Sequence, residues 1–510
     1  MIKRVLPTLA ICSIAALLVV GCGGSSGPGI GSIQGYVFGQ VVADTGGSAP
    51  AIAIGRAATP PAGYEPVQGA VVMVTGSSTI ATTDAQGYFR IDDVLSGVQT
   101  VSVTKSGYLT GIAQVTVLRG QLVTVGDTLL NPSERKWTIL VFLNADNDLD
   151  PYGVLDVNEM ETVGSSPEVD ILVQMDRYST SPDWTGCRRM RIMRDNNPAT
   201  ITSPVLQDLG EVDMGDWRVL RDFVVWGTTN YPAEHYLVMV WNHGDGWRTT
   251  QAAALKQVSP ATRSISSDWT SNTQIKITDL PRAFDVHPRV DIVSFDACLM
   301  QMAEVAYELR HYGGLVVGSE EIVPDQGYPY QTYLSALVAS PTMMPEQLAE
   351  EMVTQTLDFY NSQPDSYNYR WLTQSAVALA QMDGVAVALD GFARALSAAM
   401  PAYTVEITSA RTQAQSYSGN RDHKDLYDFA RLVNELVPKD DVRLAAQALM
   451  IALDDAVRSE AHGDARPNSH GLAIFVPNRF DYNGIYKTSY QTLELSLNTA
   501  WDEWLAVSPP

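Results

Sequence analysis

The stretch Trp137-Thr-Ile-Leu-Val-Phe-Leu143 decides the fold class. It is apolar at nearly every position, so a strand made from it has two buried faces, as the strands of a parallel α/β sheet do. Working outward, further apolar runs follow at Val169-Asp-Ile-Leu-Val-Gln-Met175, His235-Tyr-Leu-Val-Met-Val-Trp241, Val290-Asp-Ile-Val-Ser-Phe295 and Gly314-Leu-Val-Val-Gly318. Between them, Tyr152 to Val163 and Leu299 to Tyr312 can form helices. Segments from Pro345 to Tyr360, Gln381 to Met400 and Lys424 to Ser459 supply more helix to cover the sheet. Strand and helix alternate at βαβ spacing, which predicts an α/β domain over residues 131–510, a mostly parallel sheet flanked by helices.

Ligands of such sheets bind outside the carboxyl ends of the strands. Two reactive residues fall there: His243 in Asn242-His-Gly-Asp-Gly-Trp247, and Cys298 in Phe295-Asp-Ala-Cys-Leu299. A thiol becomes a nucleophile once deprotonated, and an imidazole beside it supplies the base and later the acid. Glycines flanking His243 allow close backbone approach. The amides of Gly244 and of Cys298, the latter read as the entry to a helix, are the candidates for stabilising a developing oxyanion. Taken singly, Cys298 could be an inert buried thiol and His243 a structural loop residue; their joint placement favours chemistry.

Composition excludes other classes. Acidic residues number 57 against 34 basic ones, a formal charge of -23, so the field repels polyanions and no nucleic-acid partner is expected. Four cysteines, Cys12, Cys22, Cys187 and Cys298, cannot build a disulfide framework once Cys12 lies within the leader and Cys22 at its end. No His-Glu-x-x-His pair points to a metallopeptidase, and no glycine-rich phosphate loop follows the first strand. Asp146, Asp148 and Asp150 alternate like the start of a calcium loop, but Pro151 stands where such a loop needs glycine. They read as a strand-end turn, and no metal ligand is assigned. Cys187 reads as a bystander.

Residues 1–21, with Lys3 and Arg4 before an apolar run, read as a signal peptide too short for a spanning helix. Val19-Val20-Gly21-Cys22 resembles a bacterial lipoprotein box. The resemblance implies that Cys22 takes the lipid and anchors an exported protein at the outer membrane or cell surface. Residues 22–31 read as a flexible tether. From 32 to 130, short β-branched runs alternate with turns, as in Val98-Gln-Thr-Val-Ser-Val-Thr104 and Asp84-Ala-Gln-Gly87, which predicts a β-sandwich of about seven strands. The order Gly35-Tyr-Val, Val67-Gln-Gly-Ala-Val-Val, Thr83-Asp-Ala-Gln-Gly-Tyr-Phe and Lys105-Ser-Gly-Tyr108 resembles the carboxypeptidase regulatory-like domain, implying a transthyretin-like accessory fold. The Ala/Gly/Pro-rich insertion from Ala43 to Ala62 reads as a loose loop.

From Trp137 onward the chain resembles the clostripain-like cysteine peptidases, relatives of the caspases. The matching segments are Ala145-Asp-Asn-Asp-Leu149, Val240-Trp-Asn-His-Gly-Asp-Gly-Trp247, Ser294-Phe-Asp-Ala-Cys-Leu-Met300, Gly318-Ser-Glu-Glu321 and Ser469-His-Gly-Leu-Ala-Ile-Phe-Val-Pro477. The resemblance implies a caspase-like fold and a His243–Cys298 dyad that hydrolyses peptide bonds in protein or peptide substrates through a thioacyl-enzyme. No third acidic member is implied. It further implies cleavage after Arg or Lys, for which Asp296 and Asp325 are the candidate pocket carboxylates. Asp296 could instead only cap a strand end, and Asp325 only a surface loop. The run Glu320 to Tyr330 departs from the family's usual Glu-Pro-Gly spacing. The resemblance admits calcium, though no cofactor is required, and it admits processing in the loop between the two motifs, which carries Arg248, Lys256 and Arg263. A monomer is expected. The competing expectation is a catalytically silent surface protein that uses the same fold to hold a partner.

Overall fold

The Trp137 run becomes strand β1 (Trp137–Ala145), in which every residue is buried. In this computed structural model the described residues are 29–40, 60–247 and 264–510, apart from 62–63, 76, 78, 106, 132–134, 179, 182, 364–369 and 418–419. The expected leader, Cys22, most of the tether and of the loop to Ala62, and Arg248, Lys256 and Arg263 lie outside them.

β1 pairs in parallel with β2 (Val169–Arg177) on one side; β3 (Gly186–Arg191) and β4 (Val205–Gly210) continue that side antiparallel. On its other side β1 pairs in parallel with β5 (His235–Trp241), which is followed in parallel by β6 (Val290–Asp296) and β7 (Gly313–Gly318). β8 (Thr373–Ala378) and β9 (Val457–His462) close that edge antiparallel. The order β4-β3-β2-β1-β5-β6-β7-β8-β9 is thus a mostly parallel sheet with antiparallel margins.

The alternation of β1 explains its unbroken apolarity. Leu140 and Phe142 join one core with Phe223 of helix α2 (Trp217–Asn230) and with later helices, while Ile139, Val141 and Leu143 join a second core on the opposite face. That second face is covered by α1 (Asp150–Val163), α4 (Tyr330–Ala339) and α5 (Pro345–Asn361). The first is covered also by α3 (Ala303–Leu309), α6 (Met382–Ala399), α7 (Leu426–Leu436) and α8 (Asp440–Ala456). The Lys424–Ser459 segment breaks into two helices around Val437-Pro438, where proline ends a helix. Among the described residues no helix is long and apolar enough to cross a membrane.

One expectation needs correcting. Residues 299–302 are not helical, and α3 begins only at Ala303. Leu299 takes φ 63° and its N–H goes to the Glu321 carbonyl, while Gln301 N–H goes to Ser319, so the chain after Cys298 is pinned to the loop following β7. Cys298 therefore has no helix N-terminus behind its amide.

Among the described residues the upstream unit holds nine strands rather than about seven, in two sheets of five and four that share one core built on Ile33, Val37, Val72, Phe89, Val101 and Val103. The Asp84–Gly87 turn requires its glycine. Gly87 has φ 72°, and a Cβ there would meet the Val37 carbonyl oxygen at 2.3 Å.

Candidate active site

β5 and β6 run side by side with Trp241 opposite Asp296, and the Asn242 N–H donates to the Asp296 carbonyl at 3.2 Å. His243 and Cys298 therefore leave the sheet together, and both line one cleft with Trp241, Asp296, Val323 and Asp325. Gly244 lies so close to the Cys298 segment that a Cβ would come within 2.4 Å of the Cys298 carbonyl oxygen. Among the described residues neither the Gly244 nor the Cys298 amide donates to another backbone group.

The side chains of His243 and Cys298 have other partners. His243 Nε2 is 2.8 Å from Asp148 Oδ1, and among the described residues no hydrogen bond joins His243 to Cys298. Cys298 is half-buried as a residue, and its Sγ accepts the Val323 N–H at 3.4 Å. Burial pushes this thiol up to about 12; Asp296, Glu321 and Asp325 add to the rise and the Val323 bond opposes it. A thiolate here needs a cation brought to it. The loop over the thiol is held by a buried pair: Arg466 Nε donates to Glu321 Oε2 at 2.6 Å, and the guanidinium stacks over Trp371.

The two pocket candidates differ. Asp296 is buried, and its Oδ2 accepts the Tyr328 N–H and the Tyr330 hydroxyl, each at 3.0 Å. Burial pushes its carboxyl up to about 7 against those two bonds. Asp325 is exposed at the same cleft. Cys187 is fully buried on β3, separated from β6 by β2, β1 and β5, and touches Met214 Sδ at 3.8 Å; burial pushes its thiol up.

The alternating acids of the first loop diverge. Asp150 makes a two-pronged pair with Arg177 at 2.8 and 2.9 Å, Asp148 faces His243, and Asp146 accepts from Thr270 N–H and hydroxyl. Asp146 also meets Glu211 and Asp268, whose carboxylate oxygens all lie within 4.8 Å of one another. Asp176, at the end of β2, adds an independent sign. It is fully buried, neither of its oxygens has a donor, and burial with Glu211, Asp268 and Asp146 nearby pushes it up to about 9. The three grouped carboxylates, with the orphaned oxygens of buried Asp176 nearby, fit a hard divalent cation such as calcium, which takes oxygen ligands. The sequence offered no local signal for this set, because its members come from four separate segments. Asp148 falls in the strand-end turn after β1 and its partner in the loop after β5, so no local spacing joins the two.

Residues 141–507 match the clostripain family and residues 55–130 the carboxypeptidase regulatory-like domain. The chain belongs to the clostripain family. It is 27% identical to clostripain of Hathewaya histolytica over 226 residues, 40% of this chain and 43% of that protein, so it spans less than half the length of that relative. The fold matches a secreted C11 cysteine protease of Bacteroides thetaiotaomicron solved with an irreversible peptide inhibitor, with TM-score 0.54 and 21% identity over 72% of this chain and 99% of that one. An inactive zymogen C11 protease of Parabacteroides distasonis gives TM-score 0.52 and 19% identity over the same shares. At these identities the two structures speak for the fold: a clostripain-family α/β domain carrying His243 and Cys298 at one sheet edge.

Proposed function

We propose that this chain is an exported cysteine endopeptidase that cleaves after Arg or Lys. The observation that carries the reading is the shared cleft of His243 and Cys298 at the carboxyl ends of adjacent strands. Asp148 holds Nε2, leaving Nδ1 to take the thiol proton. The thiolate attacks the scissile carbonyl carbon, and the oxyanion accepts from the Gly244 and Cys298 amides. His243 then returns its proton to the leaving amine, and water cleaves the thioacyl bond with His243 again as base. Binding substrate has to move Val323 off the sulfur and bring the imidazole to it. Asp296 and Asp325 supply the negative charge a basic side chain seeks.

Asp146, Asp176, Glu211 and Asp268 would hold calcium. When bound, it supplies the positive charge that lets these carboxyls ionise. The upstream β unit is read as a transthyretin-like accessory domain, and Cys22 as the lipid anchor.

A peptidyl chloromethyl ketone ending in Arg tests the reading. One equivalent should add to Cys298 in the full-length chain, detected by intact mass, and none in His243→Ala at the same exposure. The second reading, a silent binding protein, is favoured by the thiol being pushed up to about 12 with no imidazole bonded to it. It predicts no adduct in either.

A further inference from the structure

Behind the cleft, α1 brings a second carboxyl to Asp296. Asp156 is 1% exposed, and its Oδ2 accepts the indole N–H of Trp241, a wall of the cleft, at 2.6 Å. Gly327, also in the cleft wall, marks where the two acids meet. A Cβ placed on it would stand 2.8 Å from Asp296 Oδ2 and 3.2 Å from Asp156 Oδ2. Asp296 itself lines the cleft, and Asp156 stands behind Trp241 and Gly327. Gly327 is held there by Tyr360, whose hydroxyl donates to its carbonyl at 2.8 Å.

We propose that Asp156 is a specificity residue of this cleft: with Asp296 it forms a carboxyl pair that receives the cationic side chain of the substrate, the cation displacing a proton that the empty pair holds. The proposal rests on the peptidase reading above. It explains why two acids share a buried corner with no compensating cation. Among the described residues, the charged neighbours acting on Asp156 are Asp296 and Glu159, both acidic. Glu159, one turn along α1, has an oxygen without a donor and is pushed up to about 7, chiefly by burial. The tyrosines packed around them, Tyr328, Tyr330, Tyr333 and Tyr360, are neutral, and Asp296 and Asp156 help to keep them so. Two carboxylates this close in a dry site do not both ionise, so the empty pair is protonated once. An ammonium or guanidinium supplies the missing charge, both carboxyls ionise, and the displaced proton passes to solvent. A role for Asp156 confined to holding Trp241 would need only an acceptor, which asparagine provides equally well.

The test uses the full-length protein and two peptides that differ only in Arg or its neutral isostere citrulline at the cleaved position, with kcat and KM measured from pH 5.5 to 8.5. For the wild type, KM for the Arg peptide falls as pH rises through the titration of the pair, because less proton has to be displaced; KM for the citrulline peptide stays flat. Asp156→Asn keeps the acceptor for Trp241. It should raise the high-pH KM for the Arg peptide about tenfold, the loss of one charged partner. It should also move the KM transition to lower pH, since Asp296 loses its like-charged neighbour, and leave kcat and the citrulline KM alone. An Asp156→Asn enzyme with the wild-type KM and the wild-type transition overturns the proposal, as does an equal loss on both peptides. Failure of the wild type to cleave any peptide overturns the peptidase reading itself, a distinguishable result.

Discussion

Asp148 Oδ1 stands 2.8 Å from His243 Nε2, joining the loop after β1 to the loop after β5. The contact engages the imidazole through Nε2; in the proposed mechanism this leaves Nδ1 for the thiol proton, with Asp148 orienting the base. Asp148 is more than half exposed, with 54% of its side-chain surface accessible, so its contribution is orientation more than charge.

Asp148→Ala should therefore lower kcat about tenfold to a hundredfold while changing KM little, and Asp148→Asn should recover part of it. Steady-state kinetics on one Arg peptide checks this. A KM effect with unchanged kcat would place Asp148 in substrate binding instead.

The loop over the thiol depends on Arg466. Removing one partner of a buried pair leaves an uncompensated charge, so Arg466→Ala should cost about 3–5 kcal/mol. Denaturant unfolding measures the loss. Because the Glu321 carbonyl also takes the Leu299 N–H, alkylation of Cys298 should speed up in the variant as its cover loosens.

The four-carboxylate cluster makes a signed pH prediction. Asp176 and Asp268 are held above their usual range, to about 9 and about 7, with burial the leading cause for both. The folded state thus binds more protons than the unfolded chain above pH 4. Stability without cation should fall as pH rises from about 4 to about 9, levelling off above. Calcium should remove that slope and raise Tm at pH 8 by roughly 5 °C, given about 2–4 °C per kcal/mol for a domain of this order. Asp176→Asn should raise Tm without calcium and abolish the calcium response, read by thermal melts and terbium luminescence.

Processing between the motifs gives a further expectation. Purified wild type should run as two fragments that stay associated through the β5–β6 pairing, cut after Arg248, Lys256 or Arg263, and Cys298→Ala should remain one chain. A wild type that is intact and fully active would rule out required cleavage.

The sheet was legible because burial on both faces writes itself as unbroken apolar runs, and Trp137 to Leu143 is one of them. Adjacency of β5 and β6 was only a condition for His243 and Cys298 to meet, and the pairing of Trp241 with Asp296 meets it. What was not legible was set by contacts distant in sequence. Leu299 reads as a helix starter, yet its tie to Glu321 delays the helix to Ala303. Asp156 looks like one more polar residue on a helix until Gly327 sets it beside Asp296. The cluster around Asp176 is drawn from four segments, and no spacing rule spans them.

Cleavage of a mixed peptide library by the full-length chain, with the products sequenced, tests the central claim most directly. The expected result is cleavage after Arg or Lys that disappears in both Cys298→Ala and His243→Ala. Cleavage that persists unchanged in those two variants would contradict it.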